Sequence, residues 1–420
     1  MKPRPPSPLV LVMVGLPARG KTYMAQKLAR YLGWQGYRAR VFNVGSYRRQ
    51  RLGAGQDAAF FDPENPTGVA ARRDMALAAL EDVFQWLEAG GHIAIYDATN
   101  STRSRRVRVR KAIEDRGISV LFVESVCDDP ALIEANIRQT KLSSPDYEGV
   151  PDAQAVRDFR ARIAMYERAY EPLEEDELSW VKIVDVGRQM VANNVQGYLP
   201  SRLAFYLMNL HIAPRPIYLT RHGQSQYNTT GRLGGDPGLS ERGAAYAAAL
   251  GDHLPQQLGE RPKVWCSTLQ RAVQTASTLP WPVLSLRELD EIDAGICDGW
   301  TYAEVQERLP EEFAARKADK LRYRYPRGES YQDVIRRLNG VIIEIERSRR
   351  PVVVVAHQAV LRALYAYLVG HSQTDCPHLE MPLHTLIELV PRAYGCDETR
   401  HRYDHDTGEW EVGPRITLPI

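Results

Sequence analysis

Along the first half of the chain, short apolar runs alternate with stretches in which apolar residues recur every three or four positions. Leu9 to Val14, Ala39 to Asn43, His92 to Tyr96 and Ser119 to Val123 have the length and composition of strands. Met24 to Leu32 and Val69 to Glu88 carry helical spacing, the latter through Ala, Leu, Val, Phe and Trp. Such alternation predicts an α/β fold, a mainly parallel sheet with helices on both faces. The pattern breaks at Gly197-Tyr-Leu-Pro-Ser201 and again at Pro214-Arg-Pro216, around a short helical piece, Leu203 to Leu210. A boundary is expected near Ala213, giving domains 1–213 and 214–420, since 420 residues exceed one ordinary core. Strand-like runs then resume at Ile217, Lys263 to Cys266 and Pro351 to Ala356, so the second domain is α/β as well.

Composition narrows the class. With 44% apolar residues, 25% charged and a net charge of +2, the chain reads as a soluble globular protein without the extended basic footprint of a nucleic-acid binder. No apolar segment approaches membrane-spanning length. The start, Met1 to Ala18, has the basic-then-apolar order of a signal peptide, but cleavage there would destroy the glycine-lysine loop described next. Five cysteines (127, 266, 297, 376 and 396), odd in number and without a C-x-x-C spacing, point to reduced thiols in a cytoplasmic protein.

The first apolar run stops at Gly15, and Gly15 to Thr22 spell G-x-x-x-x-G-K-T between a strand and a helix. In that context Gly15 and Gly20 permit a tight loop whose N–H groups surround phosphate, Lys21 reaches the outer phosphates, and the Thr22 hydroxyl ligates Mg²⁺. A nucleoside triphosphate is the implied ligand. Asp97 closes the third strand, where nucleotide kinases hold Mg²⁺ or polarise the accepting hydroxyl. Asn100 or Ser101 reads instead as a helix N-cap. The basic set Arg103, Arg105, Arg106, Arg108, Arg110 and Lys111 alternates with Val107 and Val109 and reads as a solvated helix face with at most one arginine turned to phosphate.

In the second half, the strand from Ile217 delivers Arg221-His222-Gly223 into a loop. A neutral imidazole at a strand end attacks phosphorus, and a neighbouring arginine neutralises the phosphoryl oxygens. Asn228 follows in the same loop, Arg271 opens a helix after Cys266, and a fully apolar strand delivers His357. Glu291 is a proton-donor candidate. Two histidines, two arginines and a carboxylate form a phosphoryl-transfer set.

These motifs resemble, in order and over nearly the whole chain, the bifunctional 6-phosphofructo-2-kinase/fructose-2,6-bisphosphatase family. The stretches carrying the resemblance include Gly15-Leu-Pro-Ala-Arg-Gly-Lys-Thr-Tyr23, Asp97-Ala-Thr-Asn100, Ser144-Pro-Asp-Tyr147, Tyr198-Leu-Pro-Ser-Arg202, Arg221-His-Gly223, Leu289-Asp-Glu-Ile-Asp-Ala-Gly295 and His357-Gln-Ala359. The resemblance implies an N-terminal P-loop kinase domain followed by a C-terminal histidine-phosphatase domain like that of phosphoglycerate mutases. It implies that ATP, with Mg²⁺ on Thr22 and Asp97, phosphorylates the 2-hydroxyl of fructose 6-phosphate. It assigns the nucleotide to Gly15, Ala18, Arg19, Gly20, Lys21, Thr22 and Tyr23, with Asn136 and Cys127 nearby. The sugar phosphate falls to Arg48, Arg72, Thr99, Lys141, Arg162 and Tyr166; on a helix the last two, four apart, face the same way. In the second domain His222 becomes the residue phosphorylated by fructose 2,6-bisphosphate. Arg221, Arg271, Asn228 and His357 would hold the phosphoryl group and Glu291 would protonate the leaving oxygen. Gly234, Tyr302, Arg316, Lys320, Tyr331, Gln358 and Arg362 would hold the rest of the sugar bisphosphate. A homodimer acting on small molecules, with no nucleic-acid or membrane partner, is the accompanying expectation.

Gln224 and Ser46 stand where the family often has acidic residues. Few residues precede the first strand, and the tail from Tyr394 shows no basic-Ser/Thr phosphorylation motif, so control by kinases on long extensions is not expected. Three other readings compete. They are a P-loop kinase fused to a histidine phosphatase or mutase of other substrate, a nucleic-acid end-repair kinase/phosphatase, and a metabolite-binding regulator that has lost one activity.

Overall fold

In the computed structural model the chain divides into two compact units, Met1–Ile212 and Ala213–Ile420; residues 7–138, 145–185, 187–211, 214–392 and 395–419 are described. The first unit holds a six-stranded sheet. Its strands are β1 (Leu9–Val14), β2 (Ala39–Asn43), β3 (Ile93–Asp97), β4 (Ser119–Val126), β5 (Trp180–Val184) and β6 (Gln189–Asn193), in the order β2-β3-β1-β4-β5-β6. The first five are parallel and β6 runs antiparallel to β5. Every residue of central β1 is buried. Val10, Val12 and Val14 pack with Phe42, Tyr96 and Phe122 beneath helices Pro66–Glu88 and Arg103–Glu114. Leu9, Leu11 and Met13 point to the opposite face by the two-residue period. Helix Lys21–Trp34 packs on the sheet and on helix Tyr198–Met208, where Tyr31 stacks on Tyr206 at 4.1 Å. Burial of each large side chain contributes roughly 1.5–3 kcal/mol.

The differences from the sequence expectation have local causes. Helix Pro66–Glu88 begins three residues before its apolar periodicity, because Asn65 caps it by accepting the Gly68 N–H at 3.0 Å. The Gly197-to-Pro200 break is a helix start: Pro200 falls in the first turn, where its missing N–H costs nothing. The N-cap expected at Asn100 or Ser101 is Thr102, which accepts from Arg105 N. The solvated arginine face is corrected at Arg106, which is fully buried. Its Nε and Nη2 donate to Glu175 Oε1 at 2.9 and 2.6 Å, and its Nη1 and Nη2 donate to the Glu171 and Pro172 carbonyls. Removing one partner of a buried pair strands the other charge. Glu175→Ala is therefore expected to destabilise the first unit by about 3 kcal/mol, read from its denaturant midpoint.

The second unit holds an eight-stranded sheet. Its strands are β7 (Ile217–Arg221), β8 (Lys263–Cys266), β9 (Val283–Ser285), β10 (Val352–Ala356), β11 (Thr385–Pro391), β12 (Gly395–Tyr403), β13 (Trp410–Val412) and β14 (Ile416–Pro419). The order is β13-β12-β11-β7-β10-β8-β9, with β14 also on β12. β7, β10, β8 and β9 are parallel; β11 adds antiparallel to β7 and begins the antiparallel extension. That extension was not read from the sequence, because β12 carries Asp397, Glu398, Arg400 and Arg402 and shows no apolar run. Arg392 pairs with Asp397 at 2.8 Å, one of the contacts that let charge sit in this sheet. Among the described residues, no helix is long and apolar enough to cross a membrane.

Candidate active sites

In the first unit the site grows from the C-terminal end of β1. Gly15 has a φ of 130° and donates its N–H to Thr99 O at 2.9 Å. A Cβ there would lie 2.5 Å from Ser125 O, so both conformation and space require glycine. Gly20, with a φ of 83°, precedes helix Lys21–Trp34, which has no side-chain cap. A helix start without a side-chain cap, with its dipole, suits an anion. Lys21 Nζ donates to Leu16 O at 2.6 Å, across the loop. Asn136 Nδ2 donates to Ala18 O at 3.1 Å, and the Ser125 hydroxyl donates to Arg19 O. Arg19 pairs with Glu167 at 3.5 Å. Tyr23 is buried and Thr22 partly so. Asp97 is buried at the end of β3 and accepts from Asn43 Nδ2 at 2.6 Å. Cys127 follows β4, and burial pushes its thiol up; the flanking acids contribute less.

A cationic cluster gathers around Asp146. Arg48, from helix Val44–Leu52, pairs with it directly; Arg49 and Arg162 approach to 3.7 and 3.8 Å. Burial raises the Asp146 carboxyl, but the three arginines outweigh it and hold the group below its ordinary range. Arg162, from helix Asp152–Glu167, sits 3.7 Å from the Phe61 ring centroid, and the Tyr166 ring lies 5.9 Å from the same phenyl. Among the described residues Arg48 Nη1 and Arg162 Nε are buried without a hydrogen bond, the condition of cations awaiting an anion. Arg72 turns elsewhere, donating to the Phe60 and Asp62 carbonyls, and so braces the turn that carries Phe61. Thr99 contributes its carbonyl to Gly15, and Lys141 lies outside the described residues. Asp146 and Phe61 were given no role from sequence. Asp146 stands in the Ser144-Pro-Asp-Tyr147 stretch that carries the resemblance, and only the fold brings its arginines together.

In the second unit, register does the assembly. Ala356 pairs with Arg221 across β10 and β7, so His222 and His357 leave adjacent strand ends with ring centroids 4.9 Å apart. His222 lines a cavity of about 490 Å³ together with Arg221, Asn228, Gly234, Arg271, Glu291, Tyr302, Arg316, Lys320, Tyr331, Gln358 and Arg362, while His357 is fully buried beside it. His222 Nδ1 lies 2.7 Å from Gly223 O; a carbonyl only accepts, so the proton is on Nδ1. The Nε2 lone pair is left for chemistry and accepts from Arg271 Nε at 3.2 Å. Burial first, then Arg271 and Arg221, lowers the His222 pKa well below its ordinary value and keeps the ring a neutral nucleophile.

The remaining side chains are held by specific contacts. Asn228 Oδ1 accepts from Ser225 N and Oγ at 2.9 and 3.0 Å, which leaves its amide hydrogens to donate. Glu291 Oε1 accepts from Ala359 N at 3.1 Å, at the start of helix Gln358–Val369. Arg221 Nη1 donates to Met381 O at 3.0 Å, and burial lowers its pKa to about 10. Arg316 donates to the Tyr325 and Tyr302 hydroxyls, both at 2.7 Å. Arg362 donates to the Tyr331 hydroxyl at 3.1 Å and Lys320 to Pro377 O at 2.7 Å. Gly234, at a φ of 63°, would place a Cβ 1.6 Å from Asp298 Oδ1. Tyr325, Ser267 and Asp290 belong to this neighbourhood and were not singled out from sequence, although Ser267 and Asp290 adjoin residues that were.

Strand, phosphate loop and helix in one unit, and two histidines among arginines in the other, define a P-loop kinase joined to a histidine phosphatase. The model of the 6-phosphofructo-2-kinase family matches residues 2–214, and that of the histidine phosphatase superfamily (branch 1) matches residues 217–403. A 6-phosphofructo-2-kinase/fructose-2,6-bisphosphatase of Gallus gallus is 50% identical over 394 residues, covering 93% of this chain and 84% of that one. The 6-phosphofructo-2-kinase/fructose-2,6-bisphosphatase 4 of Macaca fascicularis is 50% identical over 393 residues, with the same coverage. An Arabidopsis thaliana relative is 50% identical over 402 residues, 94% of this chain and 54% of the longer plant protein. The chain belongs to the 6-phosphofructo-2-kinase/fructose-2,6-bisphosphatase family.

Proposed function

We propose that the two sites carry out opposing steps on one metabolite. The chain is a bifunctional enzyme: an ATP-dependent kinase makes fructose 2,6-bisphosphate from fructose 6-phosphate, and a phosphatase returns it to fructose 6-phosphate and phosphate. One observation carries the reading of the second site. Arg221, His222 and Arg271, with His357 buried beside His222, form one wall of a cavity whose other wall is Tyr302, Arg316, Lys320, Tyr331 and Arg362. A cationic, hydroxyl-bearing wall of this kind suits a second phosphate and a sugar better than a small phosphoester. Incubation with ATP and fructose 6-phosphate is expected to produce fructose 2,6-bisphosphate that later declines as ATP is exhausted; no such product would refute the reading.

In the kinase, the uncapped turn after Gly20 binds the triphosphate and Lys21 follows charge onto the transferring γ-phosphoryl group. Arg48, Arg162 and Tyr166, with Asp146 fixing the arginines, orient the sugar phosphate. Mg²⁺ is an inference supported by the donor set: Thr22 and Asp97 would hold it, and it would neutralise charge shared by the outer phosphates. In the phosphatase, His222 Nε2 attacks phosphorus and the bond to the sugar O2 breaks. Glu291 gives that oxygen its proton. Arg221, Arg271, Asn228 and His357 meet the phosphoryl oxygens. Water then takes the phosphoryl group from His222 while the Glu291 carboxylate accepts its proton.

Lys320 supplies a pH test. Burial, then Arg362 and Arg316, lowers its pKa to about 8, so in the free enzyme its charge is present below that value and lost above it. The phosphatase KM is expected to rise as pH passes from 7 to 9, and Lys320→Arg, which stays charged, should flatten the rise. A homodimer and a cytoplasmic location complete the proposal. Edge strand β6, on which Val191 is exposed, supports the first, and five cysteines, odd in number and without a C-x-x-C spacing, support the second. Sedimentation of the full chain tests the dimer.

A further inference from the structure

His357 is fully buried, and its hydrogen bonds fix which nitrogen carries its proton. Asp290 Oδ1 accepts from the Ser267 hydroxyl at 2.7 Å and from Thr268 N at 2.8 Å, and the Thr268 hydroxyl reaches both carboxylate oxygens at 2.9 and 2.8 Å. A carboxylate receiving this many donors is ionised and accepts only. The Ser267 hydroxyl hydrogen is therefore committed to Asp290. Ser267 Oγ has two lone pairs, one of which accepts from Leu269 N at 3.1 Å. The other faces His357 Nε2 at 2.7 Å, so that nitrogen must carry hydrogen. The proton of the neutral ring is thus on Nε2, and Nδ1, buried and without a hydrogen bond among the described residues, holds a lone pair.

A lone pair is the wrong partner for a phosphoryl oxygen. We propose that Ser267 and Asp290 are positioning residues of the phosphatase, a carboxylate–hydroxyl–imidazole relay that holds the His357 proton on Nε2 and sustains a second proton on Nδ1 when a phosphoryl group binds. A phosphate monoester arriving as its monoanion supplies that proton: its P–OH becomes P–O⁻ as Nδ1 becomes Nδ1–H⁺, and the oxygen then accepts from it. Asp290, two hydrogen bonds away, balances the new charge. The other charged groups facing His357 oppose protonation in the empty site. They are Arg221 at the end of β7, Arg271 on helix Gln270–Ala276 and Arg337 on helix Tyr331–Arg337, and the titratable His222 after β7 would oppose it too were it protonated. Glu291, which accepts from Ala359 N, is the other carboxyl group of the site besides Asp290. The bound phosphoryl dianion reverses the balance.

The inference rests on the phosphatase reading, and its test separates the two. The full chain is prepared as wild type, Ser267→Ala and Asp290→Asn, with ¹⁵N-histidine and with orthovanadate as the phosphoryl probe. In the wild type, the His357 shifts are expected to report Nε2–H alone without vanadate and both nitrogens protonated with it. Asp290→Asn keeps an oxygen acceptor for Ser267 and loses only charge. It should preserve the empty-site tautomer and shift the alkaline limb of phosphatase kcat/KM down by about one pH unit or more. Ser267→Ala should lose the fixed tautomer and lower kcat at least tenfold, with near-UV dichroism unchanged. Wild-type tautomer and pH limb in both variants would overturn the relay. Absence of any phosphohistidine in the wild type would overturn the phosphatase reading instead, and the ring shifts would still judge the relay.

Discussion

His222→Ala is expected to remove the phosphatase and leave the kinase. Substrate labelled at its 2-phosphate should leave an acid-labile, base-stable label on the wild-type protein and none on the variant. Turnover of fructose 2,6-bisphosphate should fall by more than about a thousandfold, as when a covalent nucleophile is deleted elsewhere. The geometry explains why no neighbour takes over. Nδ1 of His222 is tied to Gly223 O at 2.7 Å, so Nε2 alone presents a lone pair beside Arg271. His357 has its Nε2 engaged by Ser267 at 2.7 Å, and its ring is fully buried whereas His222 lines the cavity. The kinase is built on its own sheet and phosphate loop within residues 1–212 and should be unaffected. The variant then becomes a net producer of fructose 2,6-bisphosphate. Hydrolysis at the wild-type rate, or a label acquired from a phosphoglycerate instead, would reassign the second unit to mutase-like chemistry.

Much of the fold was legible because its parallel strands are buried on both faces and appear as uninterrupted apolar runs. β1 and β10 could be bounded to a residue or so, and Gly15, Lys21, His222 and His357 were readable because each directly ends such a run or follows close upon it. Of the antiparallel strands, β12 was not legible because ion pairs such as Arg392–Asp397 let charged residues occupy a sheet that hydropathy alone would not predict, whereas the apolar run of β11 was passed over. Arg106 was misread for the same reason: its partner Glu175 is distant in sequence, and nothing local distinguishes a buried paired arginine from its solvated neighbours. Positions that bind through several elements were readable only by resemblance. Arg316 and Lys320 would pass as a solvated helix face without Tyr302, Tyr325 and the Pro377 carbonyl that hold them. Asp146, named within the Ser144-Pro-Asp-Tyr147 stretch, was given no role because its meaning lies in arginines contributed by two separate helices.

Lys21→Met is expected to have the converse effect of the His222 change, silencing the kinase while hydrolysis continues. Methionine keeps the length and apolar stem of lysine and removes the charge. In the ligand-free loop Lys21 Nζ donates to Leu16 O at 2.6 Å, a contact within the phosphate loop rather than within the hydrophobic core. The loop geometry depends on Gly15, Gly20 and the bond from Gly15 to Thr99, none of which involves the ammonium. The expected defect is therefore in the transition state. As the γ-phosphoryl group leaves the nucleotide, negative charge moves onto oxygens that Lys21 alone among the loop side chains can follow, and removal of one such contact costs about a hundredfold or more. Kinase kcat should fall at least that far, with ATP affinity changed much less and phosphatase activity within about twofold of wild type. A variant retaining more than about a tenth of the kinase rate would show that charge on the transferring group is met elsewhere, with Arg48 and Arg162 the cations to test next.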